Sequence, residues 1–308
     1  MQKINAFTLI ELLVVIAIIG ILSALIVVGM SSTTQKATIA KSQVFANSLR
    51  NSLMGDLVSE WKLDGSTNDT WAASFANNGT WSGPTAPNTV ATYGTVAECV
   101  SGQCMDFDGV DDMVNFGNNA SLSMGTKDHT ISLWVKFDDA IASQWETLFA
   151  CGDAIGNLNG YWLNRHTGED RLYLYFSNGT TRSTYYLSAS GTLTANTWYN
   201  IVVTLDRDSV AQAYINGAKQ TAYSPSIVAE AGDVQNSMFS RIGAYSAGPQ
   251  YILNGKLDEV RIFHAITTIS QIEQNYFVGL NKLLASTSIS KQEYDQRLAT
   301  LNSNYAEK

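Results

Sequence analysis

The sequence predicts an α+β protein: one long apolar N-terminal helix, an antiparallel β-sandwich after it, and a short helical tail. Three observations carry this expectation. From Phe7 to Met30 the only ionisable side chain is Glu11. From Val58 onward, short alternating runs are punctuated by turn residues, among them five Asn-Gly dipeptides beginning at Asn78, Asn159, Asn178, Asn216 and Asn254. After Ser270 the apolar spacing becomes helical again.

The first helix comes from the apolar run. About 20 apolar residues at ~1.5 Å rise are enough to cross a hydrocarbon core of roughly 30 Å. A carboxylate inside such a run is costly and usually has a role. Three readings are open: a cleaved signal peptide, a simple membrane anchor, and an assembly helix. "SALIVVGMSS" offers no A-x-A cleavage site after the run. No Cys follows it either, which argues against a lipoprotein. Past Met30 the helical pattern continues. Ile39, Val44, Phe45, Leu49, Leu53 and Leu57 fall at three- and four-residue steps, while Lys36, Lys41 and Arg50 lie largely off that stripe. Gly55 and Asp56 mark its end.

The sandwich comes next. "HTISLWVKF", "RLYLYFS", "TWYNIVVTLD", "AQAYINGA" and "KLDEVRIF" read as strands, and Asn-Gly favours tight hairpin turns. With almost no helical pattern between them, these strands argue for two antiparallel sheets. Composition agrees: 45% hydrophobic, 15% charged, with 23 glycines and 4 prolines, suits a packed, turn-rich β domain. A net charge of −8 argues against a nucleic-acid partner, whose phosphates need a basic face. Cys99 and Cys104 in "ECVSGQC" read as a hairpin disulfide of an oxidising compartment, or else as buried thiols like Cys151. In the tail, "SQIE" and "SKQE" have capping-box spacing at Ser270/Glu273 and Ser290/Glu293. Two helices are expected there, packed on the N-terminal helix, on the sandwich, or on other subunits.

Two stretches also resemble known families. "AFTLIELLVVIAIIGIL" closely resembles the N-terminus of type IV pilins and type II secretion pseudopilins. That resemblance implies a leader at residues 1–6, cleaved by a prepilin peptidase between Ala6 and Phe7, and N-methylation of Phe7. It also implies a helix over 7–57, with 7–30 in the membrane or filament core and 31–57 amphipathic. Most members carry Gly where this chain has Ala6, and many major pilins have Pro where it has Val28; Gly20 matches a family glycine. The new amine of Phe7 would lie about one helical turn from Glu11. In a stack of helices, one subunit's amine then neutralises its neighbour's Glu11 where an unpaired charge is costly. An isolated Glu11 would instead sit at the helix N-terminus and reach the interface.

The second resemblance covers about residues 58 to 278. "MDFDGVDDMVNF", "NTWYNIVVTLD", "AYINGA" and "GKLDEVRIF" occur in the order found in laminin-G-like, concanavalin-A-like jelly rolls. It implies a lectin-like binding head at 58–278, followed by a helical tail at 279–308. Catalysis is not expected. No Glu-x-Asp-x-x-Glu run of this fold's glycosidases appears, "LDEV" places Asp258 and Glu259 on opposite strand faces, and His129, His166 and His264 are scattered. Calcium is a candidate cofactor at Asp64, Asp108, Asp111 and Asp258, because relatives hold a structural calcium near these strand ends and the ion needs oxygen ligands. Turn formation alone also accounts for Asp108-Gly109. Trp145, Tyr161, Trp162, Tyr173, Tyr175, Tyr185 and Tyr186 form an aromatic-rich section suited to stacking on sugars, although strand alternation must put half of them in the core. Trp71, Trp81 and Tyr245 are loop alternatives.

The combined expectation is a single-pass inner-membrane subunit with its head outside the cytoplasm, assembled with other pilins or pseudopilins and binding a glycan or surface protein. A membrane-anchored carbohydrate-binding protein that never assembles is the alternative.

Overall fold

The computed structural model describes residues 55–306, apart from 72–76, 84–90, 139–144, 153–158, 231, 235–238, 246–247 and 249. Of the N-terminal segment it describes Leu13, Ile16 and Val44, which are helical and exposed. The expectations at Ala6, Phe7 and Glu11 therefore lie outside the described residues. Among the described residues, no helix is long and apolar enough to cross a membrane.

Two antiparallel sheets face each other. The first runs in the order β13 (Ala218–Lys219), β12 (Ala211–Ile215), β11 (Trp198–Leu205), β6 (His129–Phe137), β15 (Asn254–Phe263), β4 (Cys104–Asp108) and β3 (Thr92–Gly94). β1 (Leu57–Trp61) joins it by pairing with the far half of β15. The second sheet runs β10 (Arg182–Tyr186), β9 (Arg171–Asn178), β8 (Asn159–His166), β7 (Trp145–Gly152), β14 (Ser240–Ile242), β5 (Met113–Asn115) and β2 (Thr80–Ser82). Alternation along each strand supplies the core between them, with Trp61, Phe107, Phe137, Phe149, Tyr161 and Phe176 all essentially inaccessible. Each such side chain contributes about 1.5–3 kcal/mol on burial.

The Asn-Gly pairs divide by role. Asn216 and Gly217, both at positive φ (52° and 77°), make the tight turn between β12 and β13. Asn178 ends β9, and Gly179 enters the turn to β10. Asn159 and Asn254 instead open strands β8 and β15.

The tail helices settle on the sandwich. α1 (Ile269–Ala285) and α2 (Lys291–Ala306) form a hairpin over the outer face of the first sheet. The N-cap of α1 lies two residues before the expected Ser270: Thr268 accepts from the Gln271 N–H, and Gln271 closes the box. Ser290 caps α2 as its spacing predicted, accepting from the Glu293 N–H at 3.1 Å. Tyr276 stacks on Trp134 at 5.7 Å, and a Cβ on Gly279 would lie 2.2 Å from the Trp134 ring. α1 thus spans residues 278 and 279, where the head–tail boundary is expected, and packs on the first sheet.

The Cys99–Cys104 disulfide is formed, with Cα atoms 5.4 Å apart, and lies under these helices. Ser286 and Ser288 donate to the Cys99 carbonyl at 3.0 and 2.7 Å. Cys151 remains a buried free thiol.

One expectation is corrected here. Strand alternation puts Asp258 and Glu259 on opposite faces, yet both point outward. The register of β15 against β6 shifts between Asp258 and Arg261, and Glu259 adopts φ +52°. This bulge supplies one extra residue and resets the parity. Asp258 accepts from the Val100 and Ser101 N–H groups, each at 3.0 Å. Glu259 meets Arg261, and its other oxygen accepts from Lys282 Nζ on α1 at 2.7 Å. Burial pushes both carboxyls up. For Asp258 it prevails, with the Glu259 charge adding to it; for Glu259, Arg261 and Lys282 overcome it and hold the group at about 2.

Candidate functional site

With the first sheet's outer face under helices, the second sheet's outer face is where rings gather. On β8, Tyr161 and Leu163 point into the core, so Trp162, Asn164 and His166 point out. On β9, Leu172, Leu174 and Phe176 are core, which turns Tyr173 and Tyr175 outward. On β10, Tyr185 packs inward against the core, donating to Glu230 at 2.6 Å, and its neighbour Tyr186 is 51% exposed. On β7 a bulge between Thr147 and Phe149 lets Leu148 and Phe149 both enter the core while Trp145 and Thr147 face out.

The rings form one connected array. Trp145 contacts His166, Tyr173, Tyr175 and Trp162 at centroid distances of 4.4, 4.9, 5.7 and 5.9 Å. Trp162 stacks on Tyr175 at 4.8 Å. From the loop between β14 and β15, Tyr245 and Tyr251 close on Trp162 at 5.2 and 5.1 Å. Tyr186 extends the array through Tyr173 at 4.9 Å, with the Arg171 guanidinium over its ring at 4.7 Å. Trp162 and Tyr173 are buried as a floor, whereas Trp145, His166, Tyr175, Tyr251 and Tyr186 present ring surface.

Polar groups are few and fixed, as in most ligand sites. Thr147 Oγ1 accepts from the Trp162 indole at 3.0 Å. Tyr173 donates to Glu169 at 2.8 Å, and burial, then Glu169, raises its hydroxyl well above the ordinary range. Asn164 is fully buried between Trp162 and His166, and its Oδ1 has no hydrogen-bond partner.

Of the aromatic-rich section, Trp145, Trp162, Tyr173, Tyr175 and Tyr186 lie in the array, while Tyr161 and Tyr185 belong to the core. Of the loop alternatives Tyr245 joins the array, and Trp81 packs on Phe107 at 6.1 Å. Asn164 and His166, outside the expected set, sit two and four residues after Trp162 on the same strand.

The four calcium candidates do not form one group. Asp108 and Asp111 come together with Asp112, their ligand oxygens within 4.8 Å of one another, in the turn from β4 to β5. Asp64 and Asp258 instead hold the disulfide loop, Asp64 accepting from the Gln103 N–H at 2.7 Å. The reason is distance. Asp108 pairs with Asn254, four residues and about 13 Å along β15 from Asp258. Asp112, absent from the expected set, is fully buried with its Oδ1 unpartnered. Burial first, then Asp108 and Asp111, push its carboxyl up to about 7. Three carboxylates with a buried orphan oxygen fit a hard cation.

Comparison with known proteins follows the same division of the chain. Residues 108–273 match the concanavalin A-like lectin/glucanases superfamily, and residues 1–27 match the prokaryotic N-terminal methylation motif. No curated protein matches. Among solved structures, domain 4 of the extracellular arabinanase AbnA from Geobacillus stearothermophilus, in complex with arabinotriose, has a TM-score of 0.52 at 18% identity. It covers 70% of this chain and 96% of that one. The binding domain of Paraclostridial Mosquitocidal Protein 1 has a TM-score of 0.57 at 17% identity, covering 74% and 53%. The botulinum neurotoxin serotype D ligand-binding domain, in complex with N-acetylneuraminic acid, has 0.56 at 14%, covering 74% and 52%. The chain spans about half the length of both toxin domains. At these identities the likeness concerns the fold. The chain belongs to the concanavalin A-like lectin/glucanase superfamily, and it carries a prokaryotic N-terminal methylation motif ahead of that domain.

Proposed function

We propose that this protein is a pilin-like or pseudopilin-like subunit that displays a glycan-binding head. Prepilin peptidase cuts between Ala6 and Phe7, Phe7 is methylated, and Glu11 couples the subunit to its neighbour. The observation that carries the head's role is the connected ring array around Asn164 on the second sheet's outer face. Stacking surface beside fixed hydrogen-bonding groups suits a carbohydrate, whose ring faces are apolar and whose edges carry hydroxyls. Binding rather than turnover is the reading, since Asp258 and Glu259 lie on the other sheet and are engaged by N–H groups and cations. The test is a glycan array probed with the full chain in detergent. Binding to a defined glycan class is expected, and an array without signal overturns the lectin assignment.

A calcium ion held by Asp108, Asp111 and Asp112 is part of the proposal. It would supply charge to a buried carboxylate cluster and fix the turn joining the two sheets. Adding calcium is expected to release heat on titration and to raise the melting temperature of the full chain. Asp112→Asn should abolish both responses. No heat and no shift in the native chain removes the site.

A further inference from the structure

Between α1, β1 and β15, on the face opposite the ring array, lies a cavity of about 190 Å³. Its apolar wall is formed by Leu57, Val202, Phe263, Ile272 and Val278. Its charged wall is already balanced. Arg261 Nε donates to Glu60 at 2.9 Å and the same guanidinium meets Glu259, whose other oxygen takes Lys282. Lys62 and Asp64 line the same wall, which thus sets three carboxylates against three cations, and a charged ligand would have to upset that balance or break one of these partly buried pairs. Two more lining residues, Ser132 and Thr267, are more than nine-tenths buried, and neither hydroxyl has a hydrogen-bond partner. Turning about χ1 between staggered wells lets either present its hydroxyl to a guest.

Size, charge and hydrogen-bonding capacity together define the guest. Dry cavities of about 150 Å³ accept benzene, so this volume admits a substituted ring. We infer that the cavity under α1 binds a small uncharged molecule, ring-sized and apolar apart from one hydroxyl that pairs with Ser132 or Thr267. This site is separate from the ring array and does not depend on glycan binding.

The probe is p-cresol, titrated calorimetrically into the full chain in detergent micelles, with empty micelles as the reference for partitioning. Saturable one-to-one binding is expected. The Ser132→Ala/Thr267→Ala double variant should fold normally, because it removes hydroxyls that have no partner, and should bind p-cresol about tenfold more weakly. Toluene should bind both proteins equally, and p-hydroxybenzoate neither. Absence of saturable binding, an unchanged p-cresol affinity in the double variant, or equal binding of p-hydroxybenzoate would each overturn the inference.

Discussion

Trp145→Ala is expected to weaken glycan binding by about 30-fold or more, the loss that follows truncation of a central aromatic anchor. Trp145 contacts four other rings and keeps exposed surface, so its removal opens the centre of the array. Tyr186→Ala should show a smaller loss, because that ring is 51% exposed at the array's edge. Tyr185→Phe is the informative control. Its side chain is adjacent in sequence but faces the core, and the variant should keep full affinity. Surface plasmon resonance on an array-identified glycan reads all three. Equal affinities for native protein and Trp145→Ala would move the ligand site elsewhere.

Glu11→Ala is expected to yield a chain that inserts in the membrane and loses its leader, yet is absent from sheared filaments. The reason is charge. In a helix stack the Phe7 amine needs a carboxylate within the same low-dielectric layer, and alanine leaves that amine unpaired. The measurement is immunoblotting of filament and membrane fractions. Wild-type recovery of the variant in filaments would show that no such pairing drives assembly.

The parts of this fold legible in the sequence follow strict local periodicity. Tyr173 and Tyr175 could be placed on one face because β9 alternates without interruption. α2 could be capped at Ser290 because its spacing is local. The illegible parts arise where an extra residue or a distant strand intervenes. The bulge at Glu259 reverses the parity that placed Asp258 and Glu259 on opposite faces, and the bulge after Thr147 does the same for β7. Asp112 joins Asp108 and Asp111 through a turn whose geometry no alternation rule supplies. Asp64 and Asp258 do share one neighbourhood, the disulfide loop, because β1 and β15 pair; one oxygen of each accepts from backbone N–H groups there, and Asp258 Oδ1 is buried without a hydrogen-bond partner. Of the ring array, the strand members were visible as types. Asn164 became visible only once its rings surrounded it.

Mass spectrometry of the N-terminus of the chain purified from membranes decides whether this is a processed pilin-like subunit carrying a lectin-like head. A mature chain that begins at N-methylated Phe7 is expected. A chain that retains Met1 through Ala6 would contradict it and leave a membrane-anchored binding protein that does not assemble.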